Sequence, residues 1–295
     1  MRTLRPAVLI SAVLTALALS ACSPGGAPIH LRLPSLGGPG FDKGKLESAI
    51  DASFGGTGTC VIIADTASGA ELYRYNSNAK CEILLPPCST FEIPSDLIAL
   101  DAGVITPQTV LSWDHTPQPI KSWQSDSSLK AAFRESIIWW NQALAEKVGQ
   151  ATYRDRLKAF DYGNKAPDGP PASFWMGPSV GGQLGLSTRQ QAQFLHRFYA
   201  GKLPVKPESL QAVEAIMVDE IRGGSTMSGK TGSCASVADR SRQVGWWVGR
   251  LKSAKTDYVF AASVDGESEN SLPGIEVQDR VKTAFAEAGL WPAAQ

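Results

Sequence analysis

Four short segments carry side chains whose types and spacing could do chemistry. In Pro86-Pro87-Cys88-Ser89-Thr90-Phe91-Glu92, two prolines halt any preceding helix and set up a new one near Ser89. Ser89 then sits near a helix N-terminus, whose unpaired N–H groups can stabilise an oxyanion. Glu92, three residues on, is within reach of it, as a base is of a nucleophile. The same residues also fit an N-cap serine with a capping-box glutamate. Ser228-Gly229-Lys230-Thr231-Gly232 can present an ammonium, a hydroxyl and open backbone to an anion, or can simply be a turn before a strand. Asp161-Tyr162-Gly163-Asn164 and Ser136-Ile137-Ile138 add a phenol, an amide and a hydroxyl, each unremarkable when read alone.

The elements that must position these groups have two textures. Cys60–Thr66 and Glu71–Tyr75 read as strands joined by a turn at Ser68-Gly69, and Val244–Leu251 and Tyr258–Val264 as strands near the end. Residues 89–220 between them read as mainly helical. Phe133, Ile137, Trp140, Leu144 and Val148 recur at helical spacing and predict one continuous helix. Val277, Val281 and Phe285 mark a last helix. Strands at both ends with helices between them predict an α+β fold, one sheet beside an inserted helical lobe.

The order of the segments is more specific than any one of them. Ser89-x-x-Glu92, Ser136-x-aliphatic, Tyr162-Gly163-Asn164 and Lys230-Thr231-Gly232 together resemble the signature of the serine penicillin-recognising proteins, specifically class D β-lactamases. Phe174-Trp175-Met176 before Leu184-Gly185-Leu186-Ser187, and Gly245-Trp246-Trp247-Val248-Gly249 near the end, fit the same family. The resemblance runs from about residue 56 to 290. It implies an antiparallel sheet of five or six strands, flanked by terminal helices, with the active site between sheet and helical lobe. It also implies roles: Ser89 as acylated nucleophile, Ser136 as proton relay, Lys230 and Thr231 as substrate-orienting groups, Trp175 as a wall beside the base. Tyr162, Asn164, Gly232 and Ser233 would line the substrate. The backbone N–H groups of Ser89 and of Ser233 or Cys234 would form the oxyanion hole.

Two departures qualify this. The family's motif lysine, carbamylated by carbon dioxide to become the general base, is here Glu92. Glutamate keeps a carboxylate but stands three bonds closer to the backbone, roughly 3–4 Å less reach. After Leu272-Pro273 the family carries an arginine for the β-lactam carboxylate, whereas this chain reads Gly274-Ile275-Glu276. Arg240, Arg242 and Arg250 are the candidate substitutes. The loop from Trp175 to Gln183 is also about four residues longer than usual and Gly-rich.

The five cysteines divide by context. Some class A carbapenemases join two cysteines at the places of Cys88 and Cys234, and this analogy implies a Cys88–Cys234 bridge, leaving Cys60 with Cys81. Cys22 ends Leu19-Ser20-Ala21-Cys22, after Arg2, Arg5 and an uncharged run from Ala7 to Leu19. That is a secretory signal ending in a lipobox-like site, with an ordinary signal peptide or a buried helix as the other readings. Cleavage would leave 26 basic against 28 acidic residues and an exported, membrane-anchored lipoprotein facing the periplasm or cell exterior. Residues 23–44, ten of them Pro or Gly, read as a tether, and 45–295 as the folded domain.

The 28 basic and 28 acidic residues of the whole chain argue against a nucleic-acid partner. No CxxC or HxxxH pair calls for a metal, and no cofactor is expected. His30, His115 and His196 show no partner pattern. The expected activity is serine acyl-enzyme hydrolysis of a β-lactam with Glu92 in place of the carbamate. A non-hydrolytic penicillin-binding or sensor-like lipoprotein, or a pseudoenzyme holding a peptidoglycan fragment, is the alternative. A purely structural envelope lipoprotein is a third reading.

Overall fold

The computed structural model describes residues 40–235, 242–267 and 272–293. The signal segment, Cys22, His30, Arg240 and the tether up to residue 39 lie outside the described residues. In chain order the elements are α1 (Lys43–Phe54), β1 (Thr59–Asp65), β2 (Glu71–Asn76), α2 (Glu92–Asp101), β3 (Val110–Leu111), β4 (Ser127–Ser128), α3 (Leu129–Glu135), α4 (Ile138–Val148), α5 (Gln150–Ala159), α6 (Thr188–Tyr199), α7 (Pro207–Met217), β5 (Val218–Arg222), β6 (Ser225–Ala235), β7 (Arg242–Lys252), β8 (Asp257–Glu267) and α8 (Gly274–Glu287).

Six strands form one antiparallel sheet in the order β2-β1-β8-β7-β6-β5, so the chain's two ends meet at β1 and β8. The central strands are buried on both faces, which is why they read as near-continuous apolar runs. Strand alternation divides them between two cores. Cys60, Ile62, Ala64, Val244, Trp246, Val248, Val259 and Ala261 face the helical lobe. Val61, Ile63, Trp247, Leu251, Phe260, Ala262 and Val264 face α1 and α8.

Two boundaries differ from the sequence reading. The chain enters α1 at Lys43, inside the stretch read as tether, because the Asp42 carboxylate accepts the Lys45 N–H at 3.0 Å and caps the helix. The helix predicted through Phe133–Val148 is broken in two. Ser136 adopts a left-handed conformation (φ 51°, ψ 51°) that closes α3, and α4 starts afresh at Ile138. The five apolar residues still face one core, so the periodicity survives the break that it cannot report.

Two disulfides staple the molecule. Cys60–Cys81 ties β1 to the turn after β2, and Cys88–Cys234 ties the Ser89 turn to the end of β6 across 146 residues. In the chain-entropy argument a loop of that length is worth at most about 5 kcal/mol. The double variant Cys88→Ala/Cys234→Ala should therefore lose about 2–5 kcal/mol in guanidinium unfolding, with an unchanged Cys60–Cys81 bridge on non-reducing peptide maps.

Candidate active site

Ser89 sits on one turn of 3-10 helix, Cys88–Phe91, that leads directly into α2. That turn is held from several sides. Cys88 N–H donates to the Trp175 carbonyl at 3.1 Å, and the Trp246 indole donates to the Pro86 carbonyl at 2.9 Å. The Thr90 hydroxyl donates to the Pro87 carbonyl at 2.7 Å, and the Phe91 ring stacks on Trp175 at 5.5 Å. Strand β6 runs so close to the turn that a Cβ at Gly232 would stand 3.1 Å from the Pro87 carbonyl oxygen and 3.2 Å from the Thr90 nitrogen. Glycine suits this close approach, since a Cβ there would make the turn give way by a few tenths of an ångström.

Beneath Ser89 lies a buried charge pair. Alternation along β6 turns Lys230 toward the helical lobe, where its Nζ stands 3.4 Å from Oε2 of Glu92. Both side chains are almost wholly buried. Lys230 also donates to the Ser136 hydroxyl and, at 3.2 Å, to the Thr231 carbonyl. The left-handed turn at Ser136 is thus the device that delivers a hydroxyl to the ammonium. Burial pushes the Glu92 carboxyl up to about 7, against the opposing pull of the Lys230 charge and of the Ser89 and Ser136 hydroxyls. A carboxylate that titrates near neutrality under a serine hydroxyl is suited to general-base work.

Ser89 and Glu92 share a small cleft with Cys88, Trp175, Ser233 and Cys234, walled further by Ile138, Asn141 and Met176. A second groove opens along Lys230 and Thr231 and is flanked by Arg134, Ile216, Asp219 and Ile275. Arg134 is exposed and forms no ion pair among the described residues. Lys230, which touches Glu92 and lines this groove, joins the two. Ile275 is 59 % exposed, on the stretch after Leu272-Pro273 where the family arginine was expected.

Three expectations need correction. Tyr162 is wholly buried against Phe194 and Phe91, and its hydroxyl donates to Gln191, so it supports the core and cannot meet a substrate. Asn164 is spent on loop closure: its amide donates to the Gln183 carbonyl and its oxygen accepts from Ala166 and Gly185 N–H groups. Arg250 is locked to Asp257 by two hydrogen bonds, 2.7 and 2.5 Å, and lies over the Tyr199 ring, so it is no free anion clamp. Arg242 opens β7. His115 packs at a tilt against Trp113, and His196 Nδ1 bonds the Thr66 carbonyl; neither lines the cleft. The sequence reading quoted Ile138 and Met176 within motifs without placing them in the site; it missed Asn141 and Arg134, which carry no motif, and Asp96, whose only signal is a charge inside the apolar run Ile93–Leu100. Among the described residues no cluster of three or more His, Cys, Asp or Glu could hold a metal ion.

With this geometry in place, comparison with known proteins identifies its class. The penicillin-binding protein transpeptidase domain matches residues 56–283. The chain is 31 % identical to β-lactamase OXA-1 of Escherichia coli over 227 residues, 74 % of this chain and 80 % of that protein. It is 30 % identical to the regulatory protein BlaR1 of Bacillus licheniformis over 208 residues, 70 % of this chain but 33 % of that protein. The crystal structure of a class D β-lactamase from Bacillus subtilis superposes with a TM-score of 0.72 at 27 % identity, covering 83 % of this chain and 97 % of that one. The chain belongs to the penicillin-binding transpeptidase family, in its class D serine β-lactamase branch.

The raised carboxyl gives a stability test. The folded state binds the Glu92 proton more tightly than the unfolded chain does, so stability is greatest below about pH 4.5 on this account and falls as pH rises to about 7. The loss is on the order of 2–3 kcal/mol. Glu92→Gln should flatten that slope in urea unfolding measured at several pH values; an unchanged slope would place the carboxylate's proton elsewhere.

Proposed function

We propose that the protein hydrolyses β-lactams through an acyl-Ser89 intermediate, with Glu92 itself as general base. The observation that carries this reading is the buried Glu92 carboxyl, brought to about 7 between Ser89 and Lys230. In acylation the Ser89 hydroxyl passes its proton to Glu92 while Oγ attacks the lactam carbonyl carbon. The backbone N–H groups of Ser89 and Ser233 hold the developing oxyanion. As the ring C–N bond breaks, the nitrogen takes a proton from the Ser136 hydroxyl, which is refilled from Lys230 and, through it, from Glu92. Glu92 is then again a carboxylate. It deprotonates a water that attacks the ester carbonyl, and the carboxylic product leaves as Ser89 recovers its proton.

The substrate's carboxylate belongs, on this reading, in the groove along Lys230 and Thr231, with Arg134 as its clamp. Trp175, Ile138 and Met176 wall the side chain's end of the cleft. Acylation without turnover is the second reading. It is favoured by the near-complete burial of Glu92 and by the shorter reach of glutamate, both of which hinder delivery of a deacylating water. A peptidoglycan-like ligand would occupy the same cleft. The protein's place is proposed to be outside the cytoplasm, anchored by lipid at Cys22; two disulfides suit that compartment.

Intact-mass spectrometry with a penicillin separates the readings. A transient adduct with product release is expected for the wild type, and none for Ser89→Ala; a persistent adduct supports the binder, and no adduct at any time sinks both. Hydrolysis should be indifferent to added bicarbonate, since residue 92 has no amine to carbamylate. Arg134→Ala should raise KM for a penicillin by roughly tenfold or more, the loss of one charge-assisted hydrogen bond. Unchanged KM would remove Arg134 from the substrate site.

A further inference from the structure

Helix α2 contains a second buried acid that the scheme above does not use. Asp96 is 1 % exposed and lies one helical turn beyond Glu92 on the same face, which places their Cβ atoms about 5–6 Å apart. Every residue of α2 is buried, so neither carboxylate can turn to water. Asp96 Oδ1 lacks a hydrogen-bond donor among the described residues, and Glu92 Oε2 has the Lys230 ammonium at 3.4 Å. The cation that acts on both is Lys230.

Two buried carboxylates facing one ammonium would leave an uncompensated negative charge if both were ionised, a state that a dry interior disfavours strongly. One proton must therefore remain on the pair. Glu92 has the ammonium 3.4 Å away and two serine hydroxyls beside it, all of which favour its charged form. Asp96 has burial and the Glu92 charge against its ionisation, and only the attraction of Lys230 in favour. The elements packed on α2 supply no other counter-charge at this point. From α5 the Tyr153 phenol shares a hydrogen bond with Ser95, and Arg156 pairs with Asp101 at the far end of the helix. From α4 the buried polar group is Asn141, which is neutral. From α7, also packed on α2, Glu208 is exposed, Ser209 is neutral and Glu214 faces Arg250 at 4.0 Å, so that helix brings no cation either.

We infer that Asp96 is a positioning residue for Glu92: it holds the one proton that the two buried carboxylates must share, so that ionised Glu92 and Lys230 face each other as a neutral pair beneath Ser89. Its catalytic consequence rests on Glu92 being the base; its protonation does not. Over the working range Glu92 alone then changes charge. At higher pH, loss of the Asp96 proton would place a second negative charge behind Glu92 and pull Lys230 away from Ser136.

Infrared difference spectroscopy reads the proton directly and requires no turnover. At pH 8 the wild type should show a protonated-carboxyl carbonyl stretch that disappears in Asp96→Asn. Asp96→Ala should lose the same band, and serves if the amide is not tolerated in folding. Absence of any such difference means that Asp96 is ionised and overturns the inference. In parallel, the acid limb of the Ser89 acylation rate should stay in place in Asp96→Asn, because one neutral group replaces another, and the alkaline limb should recede. An acid limb lowered by about one unit would reveal a charged Asp96 and overturn it as well. A protein that shows the band but never acylates would sink the proposed function and leave Asp96 as a proton holder only.

Discussion

The contact on which this structure depends is the ion pair of Lys230 and Glu92 in a dry interior. Charges removed from water are tolerated only when paired and hydrogen-bonded. Here the pair is made between a strand of the sheet and the first residue of a helix in the lobe, 138 positions apart in the chain. Its geometry therefore exists only when sheet and lobe are both assembled. Folding and the preparation of Ser89 are in that sense one event: the packing that excludes water from Glu92 is also what raises its carboxyl toward neutrality.

The surrounding elements can be understood by what they do for that pair. The alternation of β6 sends Lys230 to the lobe, while its neighbour Gly232 lets the Ser89 turn approach to van der Waals distance. The Cys88–Cys234 bridge, the Trp246–Pro86 hydrogen bond and the Phe91–Trp175 stack hold the turn from three directions. None of these groups meets a substrate's reacting atoms. They fix Ser89, the proposed nucleophile, whose own helix, with an acid at its first position, would otherwise be free to shift on the sheet.

Much of this is legible in the chain because strand and helix periods report burial directly. β1, β2, β7, β8 and α8 fall within two or three residues of the sequence reading, since each has a strong apolar pattern. The break at Ser136 is not legible, because Phe133 and Ile137 keep a helical spacing across a left-handed residue. Tyr162 and Asn164 show the opposite limit. A motif names residue types, and the same Tyr-Gly-Asn serves here to knot a loop and pack a core. Arg134 carries no local signal at all: an exposed arginine on a helix is ordinary until the fold places it beside Thr231.

Glutamate at position 92, where the family resemblance leads one to expect lysine, is best judged together with what lies behind it. A carboxylate built into the chain needs no carbon dioxide, but it sits roughly 3–4 Å nearer the backbone than a carbamate would. In this structure Lys230 comes to 3.4 Å of it and donates to the Ser136 hydroxyl. Asp96, one turn further, would be intolerable beside a second ionised acid unless one of the two kept a proton. The glutamate, the lysine and the aspartate are thus mutually constrained, and position 92 cannot be read as a lone substitution in an otherwise ordinary site. A lysine placed there would meet Lys230 across the same dry gap, and Asp96, no longer facing a like charge, would become its natural counter-ion.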